Sequence, residues 1–490
     1  MSVKQRAISG IRWTTIGTIG RSIFQLFQVA ILTRFLPKEA FGLVAMTLFV
    51  IQLSSIFLDM GMTSAILHRQ NATKEEYSSI YWLNIFISLI LYTLLFFTIP
   101  LISRFYEQPE LHKLIPILGT NIILIATGRQ HRTIMQKNFQ FKQIALIEII
   151  SYFLGLISAV FLAINNYGVF SLVFSTLISS FVSNSLFLIQ NFKSNPIRLH
   201  FKIKDTKPFL KIGSYTMGSA VLDFFSSEID ILIIGKMLGA EILGVYSLIK
   251  QIAVKLFAIL NPIITTVLSP TLSVIQNKKE ELKQAYLNVV KYISNFNVPI
   301  YLLLMVSSKE LLFILYGKSY QEYYVLLIFL LLLYCVTSIS GLVGSLQIAT
   351  GRTDLGLKWT IFRVIISPAV IILGSFISIE AVVIFTATLS LIYIIPLWYI
   401  QIKPMLNVSL KKYVQPFIFQ LLFLVVSSIL IAFYTDKIGI SSNVYVSAII
   451  KTMLFLILYT GFFFTLDRAF AKNFISTLIA FFSVKSTDKD

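Results

Sequence analysis

The residues Ile31-Leu32-Thr33-Arg34-Phe35-Leu36-Pro37-Lys38-Glu39-Ala40-Phe41-Gly42 are answered 202 positions later by Ile233-Ile234-Gly235-Lys236-Met237-Leu238-Gly239-Ala240-Glu241-Ile242-Leu243-Gly244. The register is constant, with Ile31 on Ile233, Arg34 on Lys236, Leu36 on Leu238, Glu39 on Glu241 and Gly42 on Gly244. Each stretch closes one long apolar run and opens the next. The two runs it closes, the first and the seventh, both begin after an even number of crossings, so they point the same way. Repeats of that kind are related by an axis along the membrane normal. The expected fold is an all-α polytopic membrane protein with two pseudo-symmetric six-helix lobes.

Composition names the solvent. The chain has 490 residues, 56% of them hydrophobic and only 13% charged, with a mean hydropathy of +0.82. A soluble chain carries roughly 25% charged residues, so this one has too little polar cover for a surface in water. The net charge of +19 would point to nucleic acid in a soluble protein; here the excess of Lys and Arg in cytoplasmic loops explains it, and no nucleic acid partner is expected. The single cysteine, Cys335, rules out a disulfide framework. The four histidines, His68, His112, His131 and His200, are scattered in expected loops at no ligand spacing, so no metal is expected. The first apolar run follows Lys4 and Arg6 but is too long for a signal peptide core and lacks a small-residue cleavage site, so it reads as a retained helix.

Apolar runs of about 20 residues number about 14. They cover 11–35, 41–66, 79–101, 113–129, 143–164, 169–190, 209–235, 241–270, 286–306, 323–348, 359–378, 381–400, 413–434 and 443–466. Residues 1–190 then form the first lobe, 191–208 a basic linker, 209–400 the second lobe, 401–466 two appended helices and 467–490 a tail. With both termini in the cytoplasm, the basic residues gather on the inner side. The loop 129–142 holds Arg129, Arg132, Lys137 and Lys142, and 191–211 holds Lys193, Arg198, Lys202, Lys204, Lys207 and Lys211. The outer turns Asn165 to Gly168 and Ser378 to Glu380 hold none. The longest outer loop, 307–322, is too short for a domain. The apolar stretch 473–484 of the tail is expected at the inner surface.

Polar residues inside the runs carry the functional signal. An ionised side chain at the bilayer centre costs about 2.5–3.5 kcal/mol on insertion scales, so each needs a partner or a wet cavity. In the first run Thr14, Gly17, Thr18, Arg21, Gln25 and Gln28 make one polar stripe at helical spacing. Ser219, Asp223, Ser226, Ser227 and Asp230 repeat it in the seventh, where Arg21 falls on Asp223, Gln25 on Ser227 and Gln28 on Asp230. The two stripes are expected to face one central cleft. Gln52, Ser55, Asp59 and Thr63 extend the pattern in the second run, and Lys250 and Asn261 in the eighth, Asn261 being the register partner of Asp59. Lys255 lies on another face, where Glu228 is expected to neutralise it. Asp59, Glu148, Lys291 and Arg363 lie nearer the cytoplasmic ends, where long side chains reach the surface cheaply and a structural role is expected. Lys451, in an appended helix, has no partner visible in the sequence.

No enzyme signature appears. Gly317-Lys318-Ser319 looks like the end of a phosphate-binding loop, but position 312 is leucine rather than the glycine that the motif needs. HExxH, GxSxG and paired-Cys motifs are absent from the sequence. Transport is the expected class, and the chain is not expected to be an enzyme.

Four stretches resemble a known family in order. They are Arg34 to Met46 (RFLPKEAFGLVAM), Leu58 to Ile66 (LDMGMTSAI), Asp230 to Ala240 (DILIIGKMLGA) and Thr350 to Leu355 (TGRTDL). Together they resemble the polysaccharide transporter branch of the multidrug/oligosaccharidyl-lipid/polysaccharide superfamily, nearest the Wzx-type flippases of the colanic-acid and teichuronic-acid kind. The resemblance implies a flippase in the bacterial cytoplasmic membrane for undecaprenyl-diphosphate-linked oligosaccharide repeat units, serving exopolysaccharide, O-antigen, capsule or wall polymer assembly. It implies two lobes around a cleft that opens alternately to each side, with glycosyltransferases and a polymerase as partners. Cationic side chains in such cavities hold the diphosphate, and Arg21, Lys250 and Lys255 are the candidates here. Gln25, Gln28, Asp59, Asp223, Ser227, Asp230 and Asn261 are candidate cavity or coupling residues. No cofactor is expected, and Asp223 or Asp230 is a candidate for proton or sodium coupling. The acidic set Asp223, Glu228 and Asp230 departs from the family pattern and leaves the sign of the cavity open. The rivals are a drug or cation exporter of the same superfamily, a peptidoglycan-precursor flippase and a membrane polysaccharide polymerase.

Overall fold

A computed structural model describes residues 3–69, 71–192, 195–438 and 443–466, and those residues are helical almost throughout. The first half contains α1 (Val3–Leu32), α2 (Lys38–Asp59), the short α3 (Met62–His68), α4 (Lys74–Tyr106), α5 (Leu111–Lys137), α6 (Phe141–Ile164) and α7 (Phe170–Phe192). The second contains α8 (Ile203–Val274), α9 (Lys279–Val306), α10 (Ser308–Tyr316), α11 (Tyr324–Ser340), α12 (Val343–Thr350), α13 (Thr353–Ser375) and α14 (Ile379–Ile392). The single-turn helices α15 (Ile394–Leu397) and α16 (Lys403–Leu406) flank a π turn at Trp398–Ile402, and α17 (Leu410–Ile438) and α18 (Val444–Leu466) follow.

Twelve stretches among the described residues are long and apolar enough to cross a membrane. Their outer faces carry Phe97, Leu101 and Ile365, each at least two-thirds exposed, a surface that only hydrocarbon solvates well. The chain is a multi-span membrane protein. Among the described helices, α4 begins with a complete capping box. At α4, the Thr73 N–H donates to Glu76 Oε2 at 2.8 Å and the Glu76 N–H donates to Thr73 Oγ1 at 3.2 Å, satisfying two orphan donors at once.

The segments read as seventh and eighth form α8, a hairpin in all but name. In one straight helix Asp230 and Lys250 would stand about 30 Å apart; their charged groups lie 2.9 Å apart. The turn is at Gly239, whose φ of 82° falls where only glycine is at ease. Gly239 is the register partner of Pro37, the residue before α2. The limbs 203–238 and 240–274 are thus the second-half counterparts of α1 and α2.

Helices pack chiefly within each half: α5 on α7, α1 on α6 and α4 on α5 in the first, α8 on α13 and α11 on α9 and α14 in the second. The main bridge between them is α2, which lies along α8. At its start, a Cβ on Gly42 would run into the Ala240 carbonyl, and one on Gly244 into the Lys38 carbonyl. Ala240 is the register partner of Lys38, so the contact is reciprocal, the signature of a local twofold axis. In lipid, where apolar burial drives little, such small-residue contacts let backbones approach closely and gain dispersion energy. Charged side chains brace the same seam. Arg34 donates to the Leu315 and Ile314 carbonyls at 3.1 and 3.2 Å, and its partner Lys236 donates to Glu107 at 2.7 Å in the opposite half.

Several boundaries differ from expectation. Helix α5 continues to Lys137, so Arg129 and Arg132 are helical, and His131 is a buried α5 residue beside Asn191 at 3.2 Å. The linker shortens because α8 begins at Ile203, and 307–322 folds into α10 and a 3-10 turn at Lys318–Tyr323. The run 323–348 breaks near Gly341, between α11 and α12. Helix α17 packs on α9, and α18 on α17 and α10. Lys451 of α18 has a partner after all: its Nζ lies 2.8 Å from Glu310 of α10, both side chains buried, and Ser447 donates to the same carboxylate at 2.8 Å. Lys193 and the tail stretch 473–484 lie outside the described residues.

Candidate functional site

A cavity of about 640 Å³ lies between the halves, walled by α1, α2, α5, α6, α7 and both limbs of α8. Phe41 and Leu248 line it beside the seam glycines, so the seam borders one end. A volume of this size is typical of ligand sites.

Its charged side is built by α1, α5 and α6. Arg132 donates to Glu148 Oε1 from Nη2 at 2.8 Å and from Nε at 3.1 Å. Arg21 approaches the other carboxylate oxygen at 3.7 Å, with its guanidinium carbon 6.0 Å from the Tyr152 ring centre. Glu148 therefore sits between two guanidiniums. From the second limb of α8, Lys255 donates to Gln25 Oε1. Lys250 is differently placed. Its Nζ lies 2.9 Å from Asp230 and 3.1 Å from Glu228 and donates to the Ser227 carbonyl at 3.2 Å, while Tyr246 donates its hydroxyl to Asp230. The lining holds four cations, Arg21, Arg132, Lys250 and Lys255, against two carboxylates, Glu148 and Glu228. With Asp230 directly behind Lys250, the wall and its immediate backing carry four cations and three carboxylates, a narrow cationic excess.

The remaining wall is neutral. Gln28 donates to Ser175 Oγ at 2.9 Å, and Gln52, Asn121 and the hydroxyl-rich face of α7 complete it.

Arg21, Gln25, Gln28, Lys250 and Lys255 thus line one cavity. Asp59, Asp223, Ser227, Asp230 and Asn261 do not line it. Asp59 accepts from Thr63 at 2.5 Å and lies 3.7 Å from Arg129. Asp223 accepts from Thr360 of α13 at 3.3 Å, near Arg363, which reaches the Ser226 carbonyl at 3.5 Å. Ser227 donates back to its own helix at the Asp223 carbonyl, 2.8 Å away, Asp230 stands behind the lining residues Ile231 and Lys250, and Asn261 donates to the Ser338 carbonyl at 3.4 Å. The stripe of the seventh run, expected to face the same cleft as the first, therefore does not reach this cavity, because Asp223 turns to α13 and Asp230 to Lys250, and two further expectations need correcting. Glu228 pairs with Lys250 rather than Lys255, because a hairpin turning at Gly239 brings together residues equally far from it. Glu148, expected to be structural, sits on the cavity wall. Arg132 went unnoticed because it reads as one more basic loop residue, although its spacing of three from Arg129 already fits a continuing helix.

A family described as polysaccharide biosynthesis protein matches residues 31–325. The lipopolysaccharide biosynthesis protein WzxC of Escherichia coli strain K12 is 28% identical over 432 residues, covering 87% of this chain and 88% of its own. The teichuronic acid biosynthesis protein TuaB of Bacillus subtilis strain 168 is 28% identical over 363 residues, covering 73% of this chain and 74% of its own. Among solved structures, the lipid II flippase MurJ in an inward closed conformation superposes with a TM-score of 0.76 at 18% identity, over 93% of this chain and 99% of that one. That likeness speaks for a shared fold.

Proposed function

We propose that this chain, which belongs to the polysaccharide biosynthesis protein family, carries undecaprenyl-diphosphate-linked oligosaccharide repeat units across the bacterial cytoplasmic membrane by alternating access. Relatives named for lipopolysaccharide and teichuronic acid biosynthesis support the polymer class. The single observation that carries the reading is the cavity between the halves, with its surplus of cations and long neutral wall.

The physical problem is a diphosphate. Stripped of water, its charges would cost many kcal/mol in hydrocarbon, while the polyprenyl tail is at home there. Fixed guanidiniums replace the lost hydration, and arginine suits the task because its planar fork meets phosphate oxygens in pairs. Lys250 already holds two carboxylates, so in this reading Arg21, Arg132 and Lys255 receive the diphosphate. Glu148 occupies the place between Arg21 and Arg132 that an anionic ligand would take, and the two arginines exchange it for phosphate when substrate enters. Rocking of the halves then moves the opening rather than the site, with no covalent step. The termini lie in the cytoplasm, a proton or sodium gradient acts through Asp223 or Asp230, and glycosyltransferases and a polymerase supply and consume the substrate. A drug or cation exporter would need a net acidic cavity, which the lining disfavours.

The test is polymer export in a strain lacking the gene. Arg21→Ala/Arg132→Ala, at normal membrane level, should cut export by about tenfold or more, since hydrogen bonds to charged groups contribute roughly 1.5–3 kcal/mol each. Export unchanged at that level would overturn the assignment.

A further inference from the structure

The cations do not account for the cavity's other wall. On α7, Ser175, Ser179 and Ser183 form one row and Thr176, Ser180 and Asn184 a second, all of them lining the cavity. Residues four apart share a helix face, and the two rows run about 13 Å along the axis. None carries charge. Several of their protons are already committed: Ser175 and Thr176 donate to the Leu172 carbonyl at 3.0 and 2.8 Å, and Ser183 to the Ser180 carbonyl at 3.0 Å. A hydroxyl that donates to its own helix keeps lone pairs free to accept. Ser175 already accepts from Gln28 at 2.9 Å and Ser180 from Asn184 at 3.2 Å, but a hydroxyl has two lone pairs, so this wall still offers acceptors.

Asn121 of α5 points to what is missing. It is 8% exposed and lines the same cavity, while its Oδ1, enclosed in the wall, has no hydrogen-bond partner among the described residues. A buried carbonyl left unsatisfied costs about 1–3 kcal/mol, a penalty that a ligand donor would remove once the amide turns about its soft terminal torsion to face the cavity. An ionised diphosphate has no proton to give. A ligand with many neutral donors at short intervals is a sugar, through its hydroxyls and any acylamino N–H.

We propose that the α7 rows and Asn121 form a glycan subsite, which reads the sugars nearest the diphosphate while Arg21, Arg132 and Lys255 hold the diphosphate itself. This rests on the lipid-linked oligosaccharide reading and adds where the sugar lies and which residues discriminate it. Gly155 belongs to the design, because a side chain there would collide with Ser179 Oγ.

The experiment compares two ligands on the purified full chain in nanodiscs: undecaprenyl diphosphate, and the undecaprenyl-diphosphate oligosaccharide extracted from cells in which the chain is native. The quantity read is the ratio of their affinities. Wild type should prefer the glycosylated lipid. Thr176→Val/Ser180→Ala, nearly isosteric, should lower that ratio by roughly tenfold, as loss of two acceptors predicts, and Asn121→Leu should lower it in the same direction. Arg21→Ala should weaken both ligands and leave the ratio standing. A ratio untouched by both the α7 and the Asn121 variants, or a wild type that does not distinguish the ligands, overturns the glycan subsite while the diphosphate site stands. A wild type that binds neither lipid overturns the underlying reading instead.

Discussion

The two halves are near-copies where they touch and strangers where they face the cavity. At the seam, Gly42 meets Ala240 and Gly244 meets Lys38, and Arg34 and Lys236 each reach into the opposite half. Away from it, the cluster of Lys250, Glu228 and Asp230 occupies the positions that in the first half hold Leu48, Leu26 and Gln28. Joining two related halves at one end of a cleft needs matched surfaces, and a twofold contact provides them with one motif used twice. Holding a substrate with a charged group at one end and sugars at the other needs walls that differ. The seam meets the first requirement, and the differing residues at matched positions meet the second.

The largest effect should come from breaking the asymmetric cluster. Lys250→Met would leave Asp230 and Glu228 without their ammonium partner, and removing one member of a buried ion pair costs about 3–5 kcal/mol. The melting temperature in nanodiscs should fall sharply. Leu48→Met, at the matching position, conserves volume and should cost less than about 1.5 kcal/mol. Neutralising the carboxylates as well, in Lys250→Met/Glu228→Gln/Asp230→Asn, should recover most of the loss. A Lys250→Met protein as stable as wild type would mean that the cluster is not the isolated ion pair described here.

Next in size is the symmetric contact itself. Gly42→Ala and Gly244→Ala each place a methyl against a backbone carbonyl that cannot turn aside, a form of overpacking that costs about 1–3 kcal/mol. Because the contact is reciprocal, the two variants should lower the melting temperature by similar amounts. A large fall for one beside a silent other would show that the repeat in sequence is not a repeat in energetics.

Much of this was legible beforehand, and the exceptions share a cause. Long apolar runs announce helices in lipid because every backbone polar group there must be satisfied within its own segment. The repeat behind the seam was legible because Arg34 kept its charge in Lys236 and Gly42 its identity in Gly244 over an offset of 202 residues, although the contact between the two stretches was not. Arg21, Gln25 and Gln28 were legible as a polar stripe on an apolar helix. Arg132 was not, since hydropathy cannot tell a basic residue in a loop from one on the last turns of a helix. The partner of Lys250 could have been found. Glu228 and Lys250 stand eleven residues on either side of Gly239, so the turn alone sets them opposite each other. The partner of Lys451 could not, because Glu310 lies on α10, in a stretch whose composition reads as a loop until tertiary packing makes it a helix.

The smallest effect tests how alike the two braces of the seam are. Arg34 binds backbone carbonyls, which do not titrate, whereas Lys236 binds the carboxylate of Glu107. The hydrogen bond and charge of Lys236 hold the Glu107 carboxyl below the usual glutamate range. A depressed carboxyl contributes its stability above the unpaired range and loses it as pH falls through the lowered value. The Lys236 brace should therefore weaken in acid while the Arg34 brace does not. Glu107 is exposed, with 79% of its side chain accessible, so salt should screen the pair and keep the effect small. The measurement is the melting temperature of wild type against Glu107→Gln at low ionic strength. The gap between them should be present at neutral pH and close as the solution is acidified below the glutamate range, and Lys236→Gln should abolish it at every pH. A gap that widens in acid would have the wrong sign for a carboxylate held by a cation.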